Sequence, residues 1–485
     1  MVGENTNSRI ALVLTLVFVT ILGGCTVPDV NRASVGRETE ARPVPSVSNE
    51  YGEPTKSSRS GVDQRLRDLA DGPTLDKPVA VDLPTVLRFV GETRETLAVL
   101  IARENAAAAD AGKFSAALGF FPSVRPRLSW FRHEGRIQDT QGEFLDVDKQ
   151  NAFGGVGLEL ALNPADAVFQ TLSAYRRADA SHADLETASQ ETLREAAHRF
   201  YDLVLARQRQ RIQQEALVRA QAFVELQQAR AEQGVGLAVD ALRARAHAAE
   251  VQGQIAETVG DLHVASARLV ELLRLDERIE LEPIRGQPLL VEFVSGDVPT
   301  ENLVEKARAS RPELTSAEEL GKALDVEKQR LGYGWAIPQI RGGVSFGEFG
   351  PTISARDTED QESYYLALEL ELEANRYSRW KEASHQRRSL EFQRQRLERR
   401  IVAEVISARW ASRAARQRVD AVREQVGMAE EAVRISQSRH SEGAALFLEV
   451  LDAQESLIRA RSELAEATIS HNRAQYDLVR AIGGA

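Results

Sequence analysis

Two long proline-free stretches, each ending at a glycine turn, constrain the fold of this 485-residue chain most strongly. Residues 165–233 and residues 377–440 contain no proline. A helix over the first stretch would be about 100 Å long at 1.5 Å per residue. The turns read RAEQGVGLAVDALRAR at 230–245 and RHSEGAALFLEVLDAQ at 439–454, with their glycines 209 positions apart. The sequence therefore predicts a duplicated pair of long helical hairpins.

The stretch after each turn has a coiled-coil spacing of apolar and small residues. In both stretches these residues recur in alternating steps of three and four, and the two series match at the offset of 209. A sustained period of 3.5 residues predicts a helical seam, and its many alanines predict close helix packing. The series are Ala241, Ala244, Ala248, Val251, Ile255, Thr258, Leu262, Ala265 and Leu269, then Val450, Ala453, Leu457, Ala460, Leu464, Ala467, His471, Ala474 and Leu478.

Strand-like segments precede each long helix. Proline-led segments begin at Phe121 and Ile337, polar loops are expected at 133–151 and 348–362, and period-two alternation returns at 156–162 and 366–372. Such alternation gives a strand one apolar and one polar face. In a membrane barrel the apolar face would meet lipid, and Glu159, Glu369 and Glu371 would face the lumen. Four strands cannot close a water-filled barrel alone, so several copies would have to pool their strands.

The first 25 residues read as a lipoprotein signal peptide. Residues 10–21 are apolar but too short for a comfortable membrane span, and Leu22-Gly23-Gly24-Cys25 resembles a bacterial lipobox. Cys25, the only cysteine, would then carry the lipid. The alternative is an ordinary signal peptide with an incidental cysteine. Residues 26–80 have the composition of a flexible linker. Two repeats are expected to follow, at 81–290 and 291–485.

The remaining composition excludes several functions. A net charge of −11 argues against nucleic-acid binding, which favours basic surfaces. The eight histidines show no metal-binding spacing, and no nucleotide-binding or serine-nucleophile motif is present. We expect no cofactor, no metal site and no enzymatic activity.

Several motifs in the order described resemble the outer-membrane factor family, the TolC-like efflux ducts, in its lipoprotein branch. They are the segment from Asp82 to Pro122, the signature Leu-Val-Glu-Lys-Ala at 303–307 with Ser-Arg-Pro-Glu-Leu at 310–314, and Arg439-x-x-x-Gly443 with Val-Leu-Asp-Ala-Gln at 450–454. The resemblance covers residues 81–485.

The resemblance implies a mostly helical fold with a small β component. Duplicated hairpins would form a periplasmic α-barrel, and four strands per chain would contribute to the transmembrane β-barrel of a homotrimer. Such a duct passes substrates from an inner-membrane pump, through a periplasmic adaptor protein, across the outer membrane of a Gram-negative-type bacterium.

The resemblance also assigns roles to the turns. Arg230, Gly234, Arg439 and Gly443 would form the periplasmic tips that contact the adaptor. Glu449 and Asp452 match the family's acidic constriction, although two solvated helix charges are the plainer interpretation. Three copies would place up to six carboxylates around the axis and favour cations.

The family latches its tips through an acid after the first turn and a tyrosine and a basic residue beside the second. Asp240 matches the acid, and His440 occupies the tyrosine position. Both basic positions are lost, to Ala445 and Ser441. We therefore expect a latch rebuilt as an Asp240–His440 pair, firmer when His440 is protonated. A helix-start acid and an exposed turn histidine are the alternatives.

Two other classes of function stay open from the sequence. One is a purely structural or surface-adhesin trimer, which would not need two internal hairpin repeats. A lipid-anchored coiled-coil tether in the periplasm, or a cell-wall-binding structural protein, would also use long helices. It would not need the four strand-like segments. If the protein is a duct, the sequence does not reveal the transported substrate.

Overall fold

The structure is a computed structural model in which residues 78–93, 96–284, 288–351, 358–371 and 373–484 are described. All of them fall within one compact unit, Ser57–Ala485. Cys25, the signal segment and nearly all of the predicted linker lie outside the described residues. The described part is mostly helical, as predicted.

The described residues contain eight α-helices, one short 3-10 helix (Gly334–Ala336) and six strands. The helices are α1 (Leu83–Thr93), α2 (Leu97–Leu118), α3 (Pro164–Glu232), α4 (Ala238–Leu273), α5 (Thr300–Ser310), α6 (Pro312–Tyr333), α7 (Arg376–Ser441) and α8 (Phe447–Ala481). The strands are β1 (Val79–Val81), β2 (Ser123–Gln138), β3 (Phe144–Leu162), β4 (Leu281–Pro283), β5 (Gln339–Gly350) and β6 (Glu359–Glu369).

The two predicted long helices are α3, with 69 residues, and α7, with 66. Each is about 100 Å long at 1.5 Å per residue. Near the sheet, α3 and α7 flank α6, and α2 packs on α3; towards the turns, α4 packs on α3 and α8 packs between α3 and α7. Every predicted seam position in α4 and α8 is buried or half-buried, which confirms the 3.5-residue period.

Ion pairs flank the contact between α3 and α8. Arg194 Nη1 lies 3.0 Å from Asp477 Oδ1, and Arg461 Nη1 lies 3.1 Å from Glu215 Oε2. His198 Nε2 lies 2.8 Å from the same Asp477 oxygen. Small seam residues bring the backbones close, and charged side chains beside the seam then fix the register, as in coiled coils.

The four long strands form one antiparallel sheet in the order β2-β3-β5-β6. One face is apolar and exposed, with Val124, Leu128, Val156, Leu366 and Leu368 among its residues. The opposite face carries two of the three predicted glutamates: Glu159 lies 2.6 Å from Arg125, and Glu369 lies 3.2 Å from Arg341. The prediction for Glu371 is wrong, because β6 ends at Glu369.

The predicted polar loops are wrong in length. β2 continues to Gln138 and β3 begins at Phe144, so only residues 139–143 connect them. β5 likewise reaches Gly350, and β6 begins at Glu359. Charged residues obscured the strand pattern in the first hairpin, where they pair across the strands: Arg132 binds Asp148 with both guanidinium contacts at 3.2 Å.

A short parallel pair, β1 with β4, was missed by the sequence patterns. Val79 pairs with Leu281, so the predicted linker ends two residues too late. Each strand has three residues, too few to show alternation. The pair covers the largest core cluster, which includes Phe200, Leu203 and Leu269.

Polar side chains of α8 hold the segment that joins the two repeats. Asn472 Oδ1 accepts from the Val291 amide at 3.0 Å, and Gln475 Oε1 accepts from the Val294 amide at 3.0 Å. His471 Nε2 lies 3.1 Å from the Val291 carbonyl, so this predicted seam residue is buried and also hydrogen-bonded. Side-chain amides thus replace the partners that a strand would supply.

The Arg-Pro-Glu signature forms a buried hub. Arg311, 4% exposed, donates from Nε to the Ala481 carbonyl at 3.0 Å and pairs with Glu313 at 2.9 Å and with Glu404 of α7. Burial alone would raise the pKa of Glu313, but the hydrogen bond from Arg480 and the charges of Arg480 and Arg311 outweigh burial and lower it. The signature therefore ties the start of α6 to the middle of α7 and to the C-terminal end of α8.

Replacing Arg311 with alanine should strongly destabilise this end of the helices. The change strips buried carboxylate and carbonyl groups of their partner, a loss of about 2–4 kcal/mol. Arg308→Ala is the matched control, because its side chain is 52% exposed and its pair with Glu398 at 3.0 Å is worth about 1 kcal/mol or less. Urea unfolding midpoints of the purified protein measure both. Equal shifts for the two variants would contradict the hub.

Candidate functional site at the helical tips

The two glycine turns have the same backbone geometry. Gly234 and Gly443 follow the ends of α3 and α7 with φ of +71° and +75°. The Val235 amide donates to the Arg230 carbonyl at 3.0 Å, and the Ala444 amide donates to the Arg439 carbonyl at 2.7 Å. Both turns are thus Schellman motifs, in which glycine adopts the left-handed conformation without a side-chain clash.

The predicted acids stand in the first turns of the returning helices. Asp240 of α4 and Glu449 of α8 are equivalent at the offset of 209. Asp240 lies 3.4 Å from Arg243, whereas Glu449 Oε1 accepts from the Leu446 amide at 3.2 Å. Such acids stabilise a helix N-terminus. Glu449 and Asp452 are nevertheless both exposed, so their carboxylates stay accessible to solvent.

His440 is a buried side chain rather than an exposed turn residue. It is 8% exposed, and its ring lies 5.9 Å from the Phe223 ring and 6.5 Å from the Phe447 ring. Its Nδ1 lies 3.0 Å from the Ala445 carbonyl, which can only accept, so Nδ1 carries the hydrogen. Nε2 then accepts from the Gln227 amide at 2.8 Å.

The equivalent arginines of the two turns have different contacts. Arg230 Nη1 reaches across to the His440 carbonyl at 3.1 Å and so fastens the second tip to the first. Arg439 stays within its own turn, where its Nη2 donates to the Ala444 carbonyl at 3.2 Å. The tips of one chain are therefore joined by Arg230 and Gln227, both from α3.

The structure does not bring Asp240 and His440 together within the chain. Among the described residues, Asp240 is bonded to Arg243, and both ring nitrogens of His440 are engaged by Gln227 and Ala445. A direct pair would require His440 to leave Gln227. The predicted latch therefore stays a prediction for an assembled state.

Three residues important to this site were missed from the sequence: Phe223, Gln227 and Phe447. Phe223 and Phe447 stack with ring centroids 5.4 Å apart and form a small core with Ala244 and Val450. The interhelical register that brings Phe223 and Gln227 beside His440 is set by packing. The aromatic residues have no counterparts at the offset of 209, so the repeat gave no signal for them.

Apolar side chains remain exposed beyond this core on both tips. Leu237 and Leu446 are equivalent at the offset of 209, as are Val239 and Leu448, and all four are exposed. The duplication therefore gives each chain two similar apolar tip surfaces. Exposed apolar patches of this kind mark surfaces that contact other proteins.

Two searches of the described residues bear on the class of protein. None of their helices is both long and apolar enough to cross a membrane. In the same ranges, no group of three or more His, Cys, Asp or Glu side chains is arranged to hold a metal ion.

The fold and the tips define a class of protein. Its members combine an antiparallel sheet that has an exposed apolar face with duplicated helical hairpins that end in paired glycine turns. The family model described as outer membrane efflux protein matches residues 90–273 and 303–484. The chain belongs to this family, whose members are channels, and it is therefore not an enzyme.

The chain is similar to the pyoverdine export outer membrane protein OpmQ of Pseudomonas putida, with 26% identity over 320 residues. That match covers 64% of this chain and 66%, just under two thirds, of the relative.

Solved channels share the fold. The outer-membrane channel OprN superposes with a TM-score of 0.69 at 18% identity, covering 83% of this chain and 90% of that one. The CmeC outer membrane channel of Campylobacter jejuni gives 0.69 at 14% identity, covering 86% and 91%. The open state of the Neisseria gonorrhoeae MtrE outer membrane channel gives 0.66 at 16% identity, covering 83% and 89%.

Replacing His440 with alanine should loosen the tips without unfolding the chain. The change leaves a cavity between Phe223 and Phe447 and removes two hydrogen bonds, at a local cost of about 2–4 kcal/mol. Hydrogen–deuterium exchange should then quicken in residues 223–233 and 434–447. Arg439→Ala, an exposed change one residue away, is the matched control and should leave exchange at Phe223 and Gln227 unchanged. Unaltered exchange in the His440 variant would show that the aromatic core does not hold the tips.

Proposed function

We propose that the chain is the outer-membrane duct of a three-part export system, in which three copies form one passage. The observation that carries the proposal is the sheet. It exposes an apolar face, and its edge strands, β2 and β6, have no further strand partner among the described residues. A sheet with these two properties is stable when copies of it close a barrel in lipid. The helical hairpins would then extend into the periplasm.

Aromatic residues support the placement of the sheet in a membrane. Phe121, Tyr333 and Trp335 are exposed where the helices meet the strands, and Trp130 is exposed farther along β2. From Phe121 to Trp130 the chain advances about 30 Å at 3.3 Å per residue. At a strand tilt of about 40° this span crosses about 23 Å, close to the apolar height of outer-membrane barrels.

Hydrogen bonds stabilise the junctions at which the chain would pass from membrane strands to periplasmic helices. The Asn163 side chain accepts from the Asp166 amide at 3.1 Å and caps α3, with Pro164 at its first position. At the second junction, Arg376 donates to the Leu331 and Arg330 carbonyls at 2.8 Å and so covers the C-terminal end of α6.

The passage would be gated at the tips. Glu449 and Asp452 are exposed and follow the tip that His440 and Arg230 fasten to α3. In three copies these carboxylates would form an acidic ring at the narrow end. Opening would require the second tip of each chain to swing away from α3, which breaks the contacts of Gln227 and Arg230.

The exposed apolar tips would dock a periplasmic adaptor, which joins the duct to an inner-membrane pump. Leu237, Val239, Leu446 and Leu448 offer the adaptor repeated apolar contacts. The named relative exports pyoverdine, and we propose for this chain a similar role in exporting small molecules that its pump selects.

We also propose that Cys25 carries a lipid in the outer membrane, which the mass of the mature N-terminal peptide tests.

Planar-bilayer recording tests the duct and its acidic ring together. The purified protein should give discrete conductance steps, whereas a periplasmic tether gives none. Replacing Glu449 with glutamine and Asp452 with asparagine should lower the cation preference severalfold at low salt, where charges act over tens of ångströms. Glu455→Gln removes an exposed charge of the same helix one turn farther on and is the control. Loss of selectivity in the control alone would disprove the ring.

Co-purification tests the partners. A C-terminally tagged chain, extracted gently and crosslinked, should bring down a periplasmic adaptor and an inner-membrane pump. Replacing Leu237 and Leu446 with aspartate should abolish that recovery while leaving the trimer intact, because charged side chains cannot enter an apolar contact. A monomer bound to cell wall would instead support a tether.

A further inference from the structure

The first strand hairpin extends beyond the rest of the sheet. The pairing of β3 with β5 ends at Ala152 and Gly350, whereas the pairing of β3 with β2 continues to Phe144 and Gln138. Residues 130–151 therefore form a two-stranded projection, here called the outer ribbon. The ribbon begins at Trp130, where the proposed apolar band of the sheet ends.

The apolar face of the sheet becomes a charged face in the outer ribbon. Side chains alternate along β2, so Val124 and Leu128 share a face with Arg132 and Arg136. Arg132 pairs with Asp148 on that face. Charged residues are costly on a lipid-facing surface, so this change marks the outer limit of the membrane.

The polar face of the sheet undergoes the opposite change. Arg125 and Ser129 share a face with Phe131 and Ile137. Ile137 lies opposite Leu145 near the end of the ribbon, with Val147 next on the same face. Phe131 lies opposite Asn151 near its base, and the pair His133 and Lys149 lies between. Phe131, Ile137 and Leu145 are 57%, 40% and 49% exposed. Most large apolar residues of the ribbon therefore lie on the face that is polar in the rest of the sheet, where they are accompanied by His133 and Lys149.

We propose that the apolar faces of three outer ribbons pack against one another and cover the external mouth of the duct. This inference rests on the proposed trimeric barrel. In such a barrel the polar face lines the passage, and the apolar face of the ribbon continues that wall above the membrane. It therefore points across the threefold axis at the same face of the other copies, where burial removes its apolar area from water.

The ribbon can bend towards the axis. Gly135 lies in its middle with φ of +143°, a conformation that residues with a side chain rarely adopt, and a Cβ there would meet no atom within 4 Å. The described residues of the second hairpin show no such projection, since β5 ends at Gly350 and β6 begins at Glu359. The cover is thus a property of the first repeat alone.

Thiol crosslinking between copies tests this packing. Leu145→Cys places a thiol on the apolar face, and Asp146→Cys places one on the charged face of the same strand. A short bis-maleimide should join copies through residue 145 and not through residue 146. The unmodified chain, whose only cysteine is Cys25, sets the background.

The outcomes separate this proposal from the proposed duct. Failure to recover a conducting trimer in either variant would count against the duct itself. A conducting trimer in which residue 145 labels freely but joins no copies would overturn the cover alone. Protection of residue 145 by lipopolysaccharide in the membrane, lost in detergent without any crosslink, would also overturn it in favour of a lipid-binding face.

Channel recording gives a second measurement that does not depend on crosslinking. Replacing Phe131, Ile137 and Leu145 with serine should weaken the cover and raise the mean conductance severalfold. Replacing Arg132 and Arg136 with glutamine changes the opposite face and should leave the conductance as in the parent. Equal conductance in all three proteins would contradict a closed external mouth.

Discussion

Close packing of helices through small residues is the constraint on which the rest of the structure depends. Ten alanines of α3 are buried, and alanines recur along the seams of α4 and α8. Small side chains let the backbones approach, so the flanking arginines and carboxylates meet across the seams. Helices of this length gain most of their stability from such tertiary contacts. The long hairpins can therefore hold a tip far from the sheet.

Duplication explains the shared geometry of the tips, and differences between the repeats explain their unequal contacts. Both turns are Schellman motifs on glycine. Only Arg230 reaches the other tip, and only the second tip carries the buried His440. If Arg439 reached the first tip as Arg230 reaches the second, the two tips would hold each other equally. The unequal contacts instead fasten the second tip to α3 through His440 of α7.

Long periodic elements were predictable, and features made by packing were not. The 3.5-residue period and the absence of proline located α3 and α7 within one or two residues, and the repeated glycines located both turns. The sequence misplaced the ends of β2 and β3, because charged pairs such as Arg132 and Asp148 hide a strand from a test of alternating apolarity. Gln227 was missed since its role depends on the register between α3 and α7, which no local pattern encodes.

The alternation of side chains along the strands determines which face of the sheet is apolar and which is polar. A strand has only two faces, so a single register must satisfy lipid on one side and water on the other. Below Trp130 this requirement is met by an apolar outer face. Above it, the outer face becomes charged, and the other face carries Ile137, Leu145 and Val147 beside His133 and Lys149, although water alone would accept polar residues on both. In the trimer that we propose, symmetry would place the same apolar residues of the other two copies opposite those on the inner face of the ribbon.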